Sequence, residues 1–148
     1  MRNRYFLLLL CALVALVGCR TQAPRTEFAG HLGTLVSYNK VVSERHGTVG
    51  YVKVFEYTAE GKGDSFSLYH VYDLNFRERG ILTPMGTGTK FVDLPTEIAL
   101  AKGKKREEIA LVAQPITLNV ADCLDLDLNM KLKIVPARPE DVAPPKAE

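Results

Sequence analysis

The sequence predicts a mostly β protein: a single small antiparallel domain, built as a meander, a sandwich-like sheet or a partly open barrel, with room for one short helix. Two runs, residues 49–57 and 66–76, are rich in β-branched and aromatic residues, and the second alternates with a period of two. Between them, residues 58–65 supply the glycines and the aspartate that a chain reversal needs.

The first half of the domain is predicted to be a meander of about four strands, joined by an earlier strand near residues 33–42. In the run 66–76, one face of the strand carries Phe66, Leu68, His70, Tyr72, Leu74 and Phe76. Tyr69 falls on the opposite face. Reversals are expected near residues 75–80 and 83–88, before a short apolar strand at 90–94.

The second half of the domain is predicted to hold one short helix and further strands. Thr96 is placed to cap a helix that runs to Ala101 and stops at Gly103. From Ile116 onward, apolar residues at even positions predict strands with a break near Asp122. A short helix over residues 118–126 is the competing interpretation of that segment, and the sequence leaves both open.

The N-terminus has the layout of a secretory signal. Arg2 and Arg4 precede an apolar stretch over residues 5–17, which is shorter than the roughly 20 apolar residues that a membrane-spanning helix requires. Gly18 and Cys19 follow. The segment Leu-Val-Gly-Cys at residues 16–19 resembles the lipobox of bacterial lipoproteins. That resemblance implies cleavage between Gly18 and Cys19 and a diacylglycerol attached to the Cys19 thiol.

A lipoprotein signal also implies a location in the cell. The acylated Cys19 would insert into membrane lipid and hold the domain on a periplasm-facing membrane surface, as a lipid-anchored protein of the cell envelope. Arg20, rather than aspartate, follows the cysteine. Because aspartate at that place is associated with inner-membrane retention in enteric bacteria, the outer membrane is the expected destination.

The chain divides into four predicted segments. Residues 1–18 are the signal peptide, and residues 19–30 form a flexible tether that lacks an apolar pattern. Residues 31–135 form the single β-rich domain, which is long enough to bury its own core. Residues 136–148 form a disordered tail rich in proline and alanine.

Charge and cysteine content exclude some classes of function and structure. Removing residues 1–18 takes away two of the 19 basic residues and none of the 17 acidic ones, so the remaining chain holds 17 of each. Nucleic-acid binding is therefore not expected, because it depends on clustered positive charge. Cys11 leaves with the signal and Cys19 carries lipid, so Cys123 has no partner for an intramolecular disulfide.

His70 is the most interesting ionisable residue, because it lies on the apolar face of the clearest strand. Asp73 points to the other face and is not a natural partner, so the sequence predicts a half-buried histidine bonded to a backbone carbonyl. The rival hypothesis is a small envelope hydrolase or metal-dependent enzyme that uses His70 with Cys123 or a carboxylate. His31 and His46 have no ligand partner at a recognised spacing.

Three other motifs have ordinary explanations. Residues 125–129 begin like a calcium loop, but Met130 and Pro136 replace its glycine and its bidentate glutamate. The glycine-rich segment 84–90 lacks phosphate-loop spacing and is interpreted as a hairpin connection. The basic segment 102–106 is followed by two glutamates and is interpreted as a solvated loop. No metal or cofactor is expected.

The sequence thus favours a non-enzymatic module that is structural or binds an envelope protein or another envelope component. A sheet edge or a tyrosine-rich face is the expected contact surface. Tyr69 is the candidate residue for that surface, because it lies opposite the main apolar face. The sequence does not fix the oligomeric state.

Overall fold

A computed structural model describes residues 25–28, 31–58, 63, 65–86, 89–103 and 106–142. Its seven strands are β1 (Arg25–Phe28), β2 (His31–Ser43), β3 (Gly47–Thr58), β4 (Ser65–Tyr72), β5 (Glu78–Met85), β6 (Lys90–Asp93) and β7 (Leu132–Pro136). Its helices are α1 (Leu94–Ala101), α2 (Arg106–Val112), α3 (Ile116–Cys123) and a 3₁₀ helix at Pro139–Val142. The prediction of a mostly β fold is confirmed.

The strands form one antiparallel sheet that curls into a half-barrel. Strands β1 to β6 follow one another across it in chain order, which confirms the predicted meander. The outer edge of β2 is shared between two short strands. β1 pairs with residues 31–34 of β2, and β7 returns from the C-terminal part of the chain to pair with residues 39–43.

Both faces of the sheet carry an apolar cluster. Strand pairing places Val52 and Val54 of β3 beside Val71 and Tyr69 of β4 on one face, and Phe55 beside Leu68 on the other. The first face holds the valine cluster, formed by Val41, Val52, Val54, Val71, Leu82, Phe91 and Val120. The second face holds the Tyr57 cluster, formed by Leu35, Phe55, Tyr57, Leu68 and Leu94.

Helix α1 begins where Asp93 ends the last strand of the meander. The Asp93 carboxylate accepts a hydrogen bond from the Thr96 backbone N–H at 2.9 Å and another from the Thr96 hydroxyl at 2.6 Å. The predicted helix is therefore present, but Asp93 is its N-cap and Thr96 is the donor. Leu94 and Leu100 are the buried residues of this helix.

Residues 116–123 form helix α3, so the prediction of a strand there is wrong and the competing interpretation is correct in type. Ile116, Val120 and Leu124 are spaced by four, so a helical pattern was present beneath the alternation. The helix covers the valine face, where Val120 is fully buried. The alternation does predict β7 at Leu132–Pro136 correctly.

The folded part of the chain is longer than residues 31–135. Strand β1 lies inside the segment assigned to the tether, and the 3₁₀ helix lies inside the segment assigned to the tail. Val142 in that helix is fully buried. The signal residues, including Gly18 and Cys19, lie outside the described part of the chain. Within that part, no helix combines the length and the apolar character needed to cross a membrane.

Gly33 is required by the packing of Tyr57. The two residues are paired across β2 and β3, and a Cβ at position 33 would stand 2.5 Å from Cε1 of the Tyr57 ring. That separation is far below van der Waals contact. The ring therefore lies directly on the backbone of Gly33, which allows the sheet to bury a large aromatic side chain completely.

We expect Gly33→Ala to destabilise the fold by about 1–3 kcal/mol, the usual cost of forcing an extra carbon into a packed core. The free energy of unfolding in urea measures this effect. Gly103→Ala is the matched control, because nothing lies within 4 Å of a Cβ at that position. Equal stability of the Gly33→Ala and Gly103→Ala chains would contradict the packing described for Tyr57.

Candidate functional site

His70 stands at the centre of a hydrogen-bonded group that joins three strands. Its Nδ1 lies 2.8 Å from Oε2 of Glu78 on β5, and its Nε2 lies 3.4 Å from the hydroxyl oxygen of Tyr57 on β3. The imidazole packs edge-on against Phe55, with 4.9 Å between ring centroids. The residue is buried, with only 6% of it exposed, and this burial is more complete than the half-burial that was predicted. The predicted backbone carbonyl partner is wrong, because both ring nitrogens contact side chains.

A β-bulge brings Glu78 to this position. Val71 pairs with Gly80, but the next residue of β4, Tyr72, pairs with Glu78, so Arg79 is the extra residue of β5. Without the bulge, Arg79 would stand opposite Tyr72. The extra residue shifts the alternation of β5 and turns the Glu78 carboxylate toward the face that holds His70. Arg79 instead forms an ion pair with Asp125 at 2.7 Å.

The surroundings of this group shift the pKa values of Glu78, Tyr72 and Lys53. The hydrogen bond from His70 holds the pKa of Glu78 below its usual 4.5, against the opposing effect of partial burial. The Tyr72 hydroxyl donates to the same Glu78 oxygen at 3.4 Å, and burial together with the Glu78 charge raises the pKa of Tyr72 to about 12. The Nζ atom of Lys53 lies 5.0 Å from the centroid of the Tyr72 ring. Partial burial of Lys53 lowers the pKa of its ammonium group.

The bonding pattern assigns the protons. An ionised Glu78 can only accept, so Nδ1 of His70 donates to it, and in the neutral imidazole Nε2 then accepts from the Tyr57 hydroxyl. A histidine oriented by a carboxylate is an arrangement that supports proton transfer. In this protein, the hydroxyl that contacts Nε2 of His70 belongs to Tyr57, which is fully buried. The group therefore ties β3, β4 and β5 together inside the sheet.

Cys123 lies away from His70. It belongs to α3 and packs on the valine cluster, with its sulfur against Gly80, whereas His70 belongs to the opposite face of the sheet. Burial, reinforced by the charge of Asp93, raises the pKa of its thiol to about 11. The residues required for a Cys123–His70 pair are thus not brought together, and the thiolate that a nucleophile needs is disfavoured.

Tyr69 does not form the exposed surface that was predicted. It lies opposite Leu68 and His70, as expected, but its half-buried ring packs against the valine cluster and meets Phe91 edge-on at 5.0 Å. The prediction assumed that only one face of the sheet is buried. The Tyr69 ring is half-buried rather than exposed, and a contact surface at this residue stays a prediction.

The acidic side chains of the calcium-like segment contact other groups of the protein. Asp125 faces Arg79, while Asp127 accepts a hydrogen bond from the Asn129 backbone N–H at 2.9 Å and stabilises a turn. Among the residues that the structure describes, no group of three or more histidine, cysteine and acidic side chains is arranged to hold a metal ion. Residues 87–88 and 104–105, within the glycine-rich and basic segments, lie outside that description.

Cavities border the sheet in the part of the chain that the structure describes. A polar cavity of about 420 Å³ lies between the β2–β3 turn and the loop before β7, lined by residues such as Glu44, His46 and Asp127. A more apolar cavity of about 370 Å³ lies beside β5 and α1, where Ile81, Ile98 and Cys123 contribute to its wall. Sequence patterns signal neither cavity, because each is formed by segments far apart in the chain.

Comparison of the sequence with protein-family models finds no match, and comparisons with curated proteins and with solved structures find none either.

We expect Glu78→Gln to remove part of the acid sensitivity of the fold. The folded pKa of Glu78 is depressed, so its stabilising contribution is complete above the unfolded value near 4.5 and is lost as pH falls through the folded pKa. The free energy of unfolding, measured from neutral to acid pH, should therefore differ most between the two proteins at neutral pH and converge in acid. Glu56→Gln, at an exposed position of β3, is the control. Parallel curves for the Glu78→Gln and unmodified chains would contradict the His70–Glu78 contact.

Proposed function

We propose that this protein is a lipid-anchored lipoprotein of the cell envelope whose β-rich domain acts as a structural or binding module for an envelope protein or another envelope component. The observation that carries the proposal is the Leu-Val-Gly-Cys segment at residues 16–19, preceded by two arginines and an apolar stretch too short to span a bilayer. Acyl chains on Cys19 would contribute about 0.8 kcal/mol for each buried methylene group.

The position of β1 is compatible with such an anchor. Arg25 begins the edge strand of the sheet and follows Cys19 by six residues. A fully extended chain spans at most about 3.6 Å per residue, so the edge strand would begin within roughly 20 Å of the acylated cysteine. The domain would therefore be held close to the membrane surface, closer than a tether of residues 19–30 would hold it.

The rival hypothesis, an envelope hydrolase or metal-dependent enzyme, receives less support from the geometry. Its Cys123–His70 form requires residues on opposite faces of the sheet to meet. Its carboxylate form has the His70–Glu78 contact at 2.8 Å. In that form, however, the remaining nitrogen of His70 lies against the buried Tyr57, so a substrate would have to displace a core side chain to reach it.

The mass of the N-terminal peptide tests the proposal. We expect protein recovered from the membrane fraction to yield a peptide that begins at Cys19 and carries diacylglycerol and acyl mass. A Cys19→Ser chain is the control and should give no acylated peptide, because a hydroxyl is a poorer nucleophile than a thiolate. An unmodified N-terminus, or a peptide that begins at Met1, would overturn the lipid anchor.

A further inference from the structure

One end of the sheet carries exposed apolar side chains. β1 and β3 end there, while β2 and β4 begin there. We define the β1 rim as Phe28, His31, Leu32 and Phe66. Leu32 is 58% exposed and Phe66 is 37% exposed, whereas Phe28 and His31 are half-buried.

The rim is held in place by aromatic packing. The Phe66 ring stacks on the buried Tyr57 ring, with 5.2 Å between centroids and 9° between planes. Phe28 meets both rings edge-on, at 5.9 Å from Tyr57 and 6.4 Å from Phe66, and His31 stands 6.0 Å from Phe66 on a further side. Phe66 therefore needs little ordering to make a contact, and this lowers the entropic cost of binding.

The apolar side chains of the rim point to both faces of the sheet. Phe66 is paired with Tyr57, which is paired with Gly33, so Phe66 lies on the face of the Tyr57 cluster. Leu32 is adjacent to Gly33 along β2 and so lies on the other face. A protein surface laid on one face would leave the other exposed, whereas the end of a sheet that enters an apolar layer buries both.

β1 connects the rim to the anchor proposed at Cys19, with Arg25 at the end of the strand away from the rim. Arg25 is paired with Thr34 and Phe28 with His31, so β1 runs from Arg25 to the rim over four residues. Arg25 lies within roughly 20 Å of Cys19 along an extended chain. An anchored domain is confined near the bilayer, so its effective concentration there is high and even a weak contact is occupied.

We propose that the β1 rim docks on the lipid bilayer that holds the acyl chains of Cys19, with Phe66 and Leu32 entering the boundary between headgroups and hydrocarbon. This inference rests on the proposed lipid anchor. Aromatic and aliphatic side chains are the ones that such a boundary accepts. Phe66 and Leu32 are uncharged, so their insertion does not itself require anionic lipid.

The experiment uses the fact that the chain contains no tryptophan. Full-length lipidated protein carrying Phe66→Trp is reconstituted in phosphatidylcholine vesicles whose acyl chains are brominated. We expect its fluorescence to be quenched and to shift to shorter wavelength. Leu128→Trp is the matched control, because Leu128 is 54% exposed and lies in the loop beside the β2–β3 turn, at the other end of the sheet. Its emission should be unchanged.

Equal emission of the Phe66→Trp and Leu128→Trp chains in these vesicles would overturn rim docking. Leu32→Trp provides a second reporter on the other face of the rim if Phe66→Trp fails to fold. A blue shift that depends on protein concentration in lipid-free detergent would identify a second copy of the chain as the occupant and would also overturn the proposal. The N-terminal peptide mass of the same preparation separates the two claims: acylated Cys19 with an unquenched tryptophan refutes docking alone, and absence of acyl mass refutes both.

Discussion

Burial of both faces of the sheet is the constraint on which the rest of this structure depends. β3 carries Val52 and Val54 toward one face and Phe55 and Tyr57 toward the other, and all four side chains are buried. Each such side chain contributes about 1.5–3 kcal/mol when it leaves water. A single layer of strands cannot provide this shelter alone. The chain meets the constraint by placing α3 over the valine face and by seating the Tyr57 ring on the backbone of Gly33.

The same constraint determines how polar groups enter the interior. His70 lies on a buried face, so its two ring nitrogens need partners, and the bulge at Arg79 supplies one by turning Glu78 toward it. Cys123 lies on the opposite face and does not join this group, because the sheet separates it from His70. Ionisable residues that could be combined on the basis of sequence alone therefore lie in separate environments on the two faces of the sheet. Two of the exposed apolar side chains, Leu32 and Phe66, lie at the β1 rim.

Most strands of the meander were predictable from the sequence, and the errors have particular physical causes. Alternation from residue 66 predicts β4 correctly up to Tyr72, but residues 73–76 of the predicted strand lie in the turn that follows. It failed at α3, where Ile116 and Val120 satisfy a helical period as well. Of the His70 group, Glu78 could not be found from sequence, because a one-residue bulge changes the face and leaves no compositional signal. The exposure of Tyr69 was overestimated, because alternation identifies opposite faces of a strand without telling whether both are buried.

Native-state amide hydrogen exchange tests the two-sided burial of β3 most directly. If both faces of the sheet are covered, the amides of Val52, Val54 and Phe55 should exchange only through global unfolding. Their protection should then equal the full free energy of unfolding. Amides in α2, which exposes most of Leu111, should exchange much faster. Fast exchange along β3 while α3 remains protected would contradict this account, because it would show that the central strand opens without the loss of the helix that covers it.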